Sequence, residues 1–279
     1  MEGNASGGKG LIAEQALLGK HQPRIEGESL METKLRRLTE IAKGNPKAEF
    51  TSLAYLLNED FLKACYEELK KRTATGVDRV TVEEYGKCLD ANISHLVARM
   101  KAKTYRPQPL RRVYIPKSDG GQRGLGVPAT EDRIVQRAIS KILSAIYEGR
   151  FLDGSFGFRP KRSAHQALDR IDKAIMFKPV HWVLDTDIEQ FFDSVSHYWM
   201  MECLKQRIKD PSLLRLIARF LIAGVMQEGK YLATDAGTPQ GGNLSPVLSN
   251  IYLHYVLDLW FERIIKPNLK GYAQLTRFA

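Results

Sequence analysis

At 279 residues the chain can bury a substantial core, and it suits one large α/β unit or two closely packed subdomains better than a string of small modules. Its 42 Lys and Arg against 32 Asp and Glu leave a formal charge of +10, and 43% hydrophobic content excludes a disordered basic tail, so the charge sits on a folded body. A polyanionic partner or a solvated basic surface follows. No run of about 18 apolar residues exists to span a bilayer and no secretory signal opens the chain, so no membrane partner is expected.

Residues 1–50 read as an N-terminal lead, partly mobile, whose first part to about Leu30 is Gly-, Ser- and Asn-rich and weakly periodic. Asn58 then caps a helix with Glu59 and Asp60 in its first turn, Phe61, Leu62, Cys65 and Leu69 on one face and Lys70-Lys71-Arg72 closing it. Arg112-Val-Tyr-Ile115 and Gly124-Leu-Gly-Val127 flank the turn-forming Lys117 to Arg123, which predicts a hairpin with a basic tip.

A helix opening at Thr130 carries Ile134, Val135, Ala138, Ile142 and Ile146 inward, expected against the sheet. Ser163-Ala-His-Gln166 is a capping-box pattern ahead of Ala167, Leu168, Ile171 and Ile175. His165 in that turn reads as an ordinary surface or contact residue. His181-Trp-Val-Leu184 reads as a buried strand running into Asp185, Asp210-Pro211 starts another helix, and Glu228-Gly229 turns a short hairpin. Ser245-Pro246 opens a long apolar helix through Leu248, Ile251, Tyr255, Leu259 and Ile264, and Tyr272 to Ala279 reads as a strand. Cys65, Cys88 and Cys203 lie far apart in no metal-ligand spacing and are expected reduced and mostly buried, in a cytosolic protein.

Asp185 and Asp187 share a strand face by period-two geometry, and Asp193 follows Phe191-Phe192, so three acids gather at one corner. Such acids suit metal binding, but equally helix capping or a solvated turn. Gly237-Thr-Pro-Gln-Gly-Gly-Asn-Leu-Ser-Pro246 has glycines that let backbone approach a nucleotide and an amide able to hydrogen-bond it, although a Gly-rich turn before a helix is also a common cap. From Lys101 to Gly124 seven Lys or Arg stand against one acid, Asp119, which favours phosphate contact over a merely solvated turn. In Ser155-Phe-Gly-Phe-Arg-Pro-Lys-Arg162 the phenylalanines fit base stacking or core packing, and Arg159 an RNA or an intramolecular carboxylate.

Asp187-Ile-Glu-Gln-Phe-Phe-Asp193 and Gly237 to Pro246 resemble two active-site motifs of group II intron-encoded reverse transcriptases. The Lys117 to Arg123 hairpin, Ser155 to Arg162 and Gly76-Val-Asp-Arg-Val-Thr81 resemble three further motifs in family order, so the likeness covers roughly Thr51 to Ala279. It implies an α+β right-hand fold: fingers with an N-terminal extension over 51–180, a partial palm over 181–279, and helices packed on a small antiparallel sheet. It implies Asp187 as the catalytic, metal-binding carboxylate, the Ile188 carbonyl beside it, and Mg²⁺ in a two-ion site. Asp193 is expected to be structural or capping, and Asp185 to set the strand end.

By the same resemblance Phe192 crowds the sugar 2′ position, Gln240 reaches the incoming nucleotide, and Pro239 and Gly241 lie in the loop supporting the templating base pair. Lys117 and Arg123 would bind the dNTP triphosphate, Arg111 or Arg112 the template or triphosphate, and Arg159 and Phe158 the template. One departure is Gly124, where family members often place proline.

The implied function is RNA-directed DNA polymerase and maturase, acting on an RNA template with a DNA primer and binding group II intron RNA for splicing and retromobility. The implied setting is bacterial cytoplasm, with an organelle open. Two alternatives stand beside it: an RNA-binding splicing module without polymerisation, and a related retron, diversity-generating or CRISPR-associated reverse transcriptase. The family's aspartate pair is expected just after Ala279. The chain as given is therefore expected to bind RNA without catalysis and to expose apolar surface, with a homodimer as one outcome.

Overall fold

A computed structural model describes residues 30–116, 120–238 and 242–278, with only the backbone of Arg123 included. Helix α1 (Leu30–Gly44) buries Leu38 and Ala42, and α2 (Glu59–Glu67) starts where the Asn58 side chain accepts the Phe61 amide at 3.0 Å. A short α3 (Val82–Gly86) opens on a capping box between Thr81 and Glu84, and α4 (Leu89–Lys101) follows. The hairpin forms as strands β1 (Leu110–Pro116) and β2 (Gln122–Val127), paired antiparallel from Arg111 opposite Val127 to Pro116 opposite Gln122.

Helix α5 (Thr130–Tyr147) is the centre of the core, with Ile134, Val135, Ala138, Ile142 and Ile146 fully buried. It packs mainly on α1 and α2, not on the sheet, because their apolar faces (Leu38 and Ala42; Phe61, Leu62 and Cys65) match its stripe. Leu38, Ala42 and Phe50 are accordingly buried in the folded body. Phe50 exchanges backbone hydrogen bonds with Arg207 and Lys209 at 2.8 Å each.

Helix α6 (Ala164–Phe177) begins with the Ser163–Gln166 capping box, and His165 is exposed. After it come α7 (Phe191–Ser194), α8 (His197–Lys205) and α9 (Pro211–Leu221). Asp210 caps α9 with one oxygen on the Ser212 and Leu213 amides, while its other oxygen accepts the amides of Leu53 and Ala54 at 2.6 and 2.7 Å. One apolar cluster runs from Leu38 to Ile251, so the core crosses the fingers–palm boundary placed at 180.

Strands β3 (Val225–Gln227) and β4 (Lys230–Leu232) turn at Glu228 and Gly229, both at positive φ as a tight hairpin requires. The sheet order is β2-β1-β3-β4, and β1 pairs with β3 in parallel, so the sheet is mixed and not antiparallel throughout. The crossover between those strands runs through α5 to α9, the long connection that parallel pairing demands. Helix α10 (Ser245–Leu253) continues through wider π turns to Ile265.

Two expected strands are absent. His181 to Leu184 forms no strand, with Trp182 92% and Leu184 88% exposed, because no strand among the described residues lies beside it. Beyond Tyr272 the chain makes a single bridge, Ser155 to Arg277. Cys65 and Cys203 are buried, which pushes their thiols up to about 12 and about 11, whereas Cys88 is exposed. None of the described helices is long and apolar enough to cross a membrane.

Candidate active-site cleft

An open cleft of about 1110 Å³ separates the β1–β2 hairpin from the segment leading into α7. Asp185, Asp187, Ile188 and Phe192 line one side, and Arg112 and Gly124 the hairpin side. Four residues nominated from the sequence, Asp187, Ile188, Phe192 and Arg112, thus converge on one space.

The two acidic- and glycine-motif segments are joined by backbone. The Gly237 amide donates to the Val195 carbonyl at 2.8 Å and the Thr238 amide to the Phe192 carbonyl at 2.6 Å, while His197 Nε2 donates to the Gly237 carbonyl at 2.6 Å. Gly237 has φ +92°, and a Cβ there would lie 2.7 Å from the Phe192 oxygen, so only glycine allows this approach. Further along the same motif, the Asn243 amide donates to Gln136 Oε1 at 3.1 Å, and a Cβ on Gly242 would sit 2.6 Å from that oxygen.

Gln136 lies on α5, only 2% exposed, and sequence reasoning missed it. The available signal was an amide placed next to Val135, inside an otherwise apolar stripe. Phe192 meets Phe191 edge to face at 5.5 Å, and Phe191 in turn packs on Tyr252 of the long helix, which fixes the turn that carries both rings.

Arg112 donates to the Gly124 carbonyl at 3.4 Å and lies against Gly124, whose added Cβ would sit 2.9 Å from its Nη1. The departure from proline at Gly124 therefore has a local use: it leaves room for Arg112. Arg111 faces the other way, its Nε donating to the Thr75 carbonyl at 2.8 Å, and it does not line the cleft.

Arg159 is buried and takes the intramolecular option: it pairs with Glu148 at 2.9 Å, donates to the carbonyls of Leu152 and Ser155, and stacks over Phe151. The Arg159 guanidinium is thus occupied by intramolecular partners, with its side chain 5% exposed. Phe156 is core, and Phe158 is 58% exposed at φ +54°. Lys117, Pro239, Gln240, Gly241 and the Arg123 side chain lie outside the described residues.

The cleft floor is tied by Arg277, which makes a buried bidentate pair with Asp258 at 3.1 Å and donates to Asn250 Oδ1 and Ser155 Oγ. Close by, burial and the surrounding arginines lower His254 to about 4, so this imidazole is neutral near pH 7. Among the described residues no three His, Cys, Asp or Glu side chains converge to hold a metal ion. Asp187 is a hard oxygen donor of the type Mg²⁺ takes, but the residues present do not by themselves make an ion site.

Residues 115–279 match the model of the family described as "Reverse transcriptase (RNA-dependent DNA polymerase)". Over 231 residues the chain is 37% identical to the group II intron-encoded protein LtrA of Lactococcus lactis subsp. cremoris, covering 81% of this chain and 38% of that protein. It is 38% identical over 193 residues to protein YkfC of Escherichia coli, covering 68% of this chain and 51% of that one. The chain therefore spans between a third and about half of these relatives' length. A chain in a solved partial Cas6-RT-Cas1--Cas2 complex overlaps it with a TM-score of 0.45 at 23% identity, covering 77% of this chain and 35% of that one.

Proposed function

The chain belongs to the reverse transcriptase family, an RNA-directed DNA polymerase by descent, and from that premise we propose that its cleft receives an RNA template with a DNA primer and admits a dNTP. The observation that carries the reading is the Thr238 amide on the Phe192 carbonyl, which joins the glycine-rich segment to the acidic segment that lines the cleft across from Arg112. In this reading Asp187 and the Ile188 carbonyl would be the oxygen donors this segment offers to Mg²⁺, Phe192 stands against the sugar, and Arg112 takes a phosphate. Divalent ions in such a reaction stabilise the attacking and leaving oxygens. Lys117 and Arg123 on the triphosphate, and Pro239, Gln240 and Gly241 at the nascent base pair, complete the proposal by resemblance.

The finer reading is a group II intron reverse transcriptase and maturase that binds its intron RNA for splicing and retromobility. Support comes from the intron-encoded relative LtrA and from the chain's +10 charge. The 279 residues hold Asp187 and no converging acidic cluster among those described, so by themselves they are expected to bind RNA and not to extend a primer.

Primer extension on an RNA template in Mg²⁺, wild type against Asp187→Ala, with RNA binding measured alongside, tests this. RNA binding without extension is the result expected for these residues, whereas extension that Asp187→Ala abolishes would support the site and overturn the expected inactivity. Extension that survives Asp187→Ala overturns the site.

A further inference from the structure

A second groove, sharing no lining residue with the cleft, lies between the segment 54–58, the end of α4 and α9. Its volume is about 430 Å³, inside the roughly 300–1,000 Å³ usual for ligand sites. Leu57, Tyr105 and Leu216 give it an apolar floor, and Lys101, Lys103, Arg215 and Arg219 surround that floor. No carboxylate lines it.

Among the described residues Lys101, Lys103 and Arg215 form no ion pair, in contrast to exposed cations elsewhere such as Lys173 with Asp169 and Lys266 with Glu262. Arg219 is held in the wall, donating to the Tyr105 carbonyl and to the Lys103 carbonyl at 2.9 Å, and Lys103 itself sits at φ +60°. Tyr55 stands at the rim, 47% exposed, with Lys34 Nζ 5.5 Å from its ring centroid.

We propose that this groove is a second RNA-binding site, holding one unpaired base on the apolar floor and its flanking phosphates on the basic rim. An apolar slot bounded by an aromatic and by unpaired cations is the chemistry that takes single-stranded nucleic acid, because bases stack and phosphates pair. An acidic peptide would use the cations and leave the floor idle. The inference rests on the reading of the chain as RNA-binding and adds a site outside the cleft.

The test uses a short single-stranded RNA carrying 4-thiouridine, bound to the 279-residue protein. Affinity is read across a salt series, and photocrosslinks are mapped by mass spectrometry. The variants are Lys101→Ala with Arg215→Ala, and Arg112→Ala in the cleft, each checked for an unchanged melting curve.

The expected result is a crosslink at Tyr55 that survives Arg112→Ala. The groove variant should lose that crosslink and bind several-fold more weakly, with a salt slope smaller by roughly 1.4, about 0.7 for each lost phosphate contact on a single strand. Crosslinks confined to the cleft, with an unchanged slope in the groove variant, would overturn the groove and leave the proposed function standing. Absence of RNA binding by the wild type would overturn both. Loss of the Tyr55 crosslink to an equal concentration of polyglutamate would reassign the groove to acidic protein segments.

Discussion

Arg111 and Arg112 are neighbours on β1 and serve opposite faces: Arg111 holds the Thr75 carbonyl at 2.8 Å, while Arg112 lines the cleft across from Asp187. Strand geometry turns successive side chains to opposite sides, so only one of the pair can reach a template in the cleft. Arg112→Ala is expected to weaken primer–template binding and to reduce its salt slope by roughly 0.7–0.9 without altering the melting temperature. Arg111→Ala is expected to leave binding unchanged and to cost about 1 kcal/mol of stability. Fluorescence anisotropy over a salt series, with thermal melts, separates the two.

Gln136 should act on the glycine-rich motif from a distance. Replacing it with the similarly shaped Met removes the Asn243 amide's acceptor, at a cost of about 0.5–1.5 kcal/mol. Hydrogen exchange should show the Asn243 amide opening faster in Gln136→Met while the Phe61 amide at the Asn58 cap is unaffected. Equal exchange at Asn243 in both proteins would show that the amide is not held by Gln136.

Stability should carry the mark of Asp132. Burial outweighs the hydrogen bonds from Tyr105 and the Gln108 amide and lifts this carboxyl to about 7, against about 4 for an exposed aspartate. Because the folded pKa is the higher one, its stabilising contribution is complete below the unfolded value and is lost as pH rises through about 7. Asp132→Asn loses one acceptor but does not titrate, so its melting temperature should gain on the wild type between pH 5 and pH 8. A constant difference across that range would place the carboxyl elsewhere on the pH scale. His254, lowered to about 4, acts in the opposite sense in both proteins, losing its contribution as pH falls from about 6.5 towards 4, and it cancels in the comparison.

Phe177, Trp182 and Leu184 are 77%, 92% and 88% exposed, and Leu168, Ile175 and Met176 add to the apolar surface. Surfaces of this kind associate in water. Sedimentation should show concentration-dependent self-association that Trp182→Glu with Phe177→Glu reduces. A wild-type monomer at high concentration would contradict this.

Local chemistry was the legible part of the fold. Asn58, Ser163 and Asp210 announce helix starts because an oxygen at that position satisfies amides nearby in sequence, and the structure places each on the expected amides. The α5 stripe and both hairpins depend on equally local periodicities and turns. The 181–184 segment reads as a strand by composition, but a strand exists only with a partner, and none among the described residues lies beside it. The parallel β1–β3 pairing is likewise a long-range fact.

In the candidate site, Asp187, Ile188 and Phe192 were nominated together and lie together. Arg159 and Phe158 were harder to assign, because an arginine among aromatics looks alike whether it faces solvent or, as for Arg159, folds back onto Glu148. Alternation told Arg111 from Arg112 only once the face of β1 that meets the cleft was known.

The most direct measurement is photocrosslinking of an RNA template–DNA primer duplex with 4-thiouridine as the templating base at the primer end. If the cleft is the template site, the crosslinks fall in residues 185–193 or in the adjoining glycine-rich motif 237–246 and weaken in Arg112→Ala. Crosslinks that avoid both segments and are indifferent to Arg112→Ala would contradict the central claim.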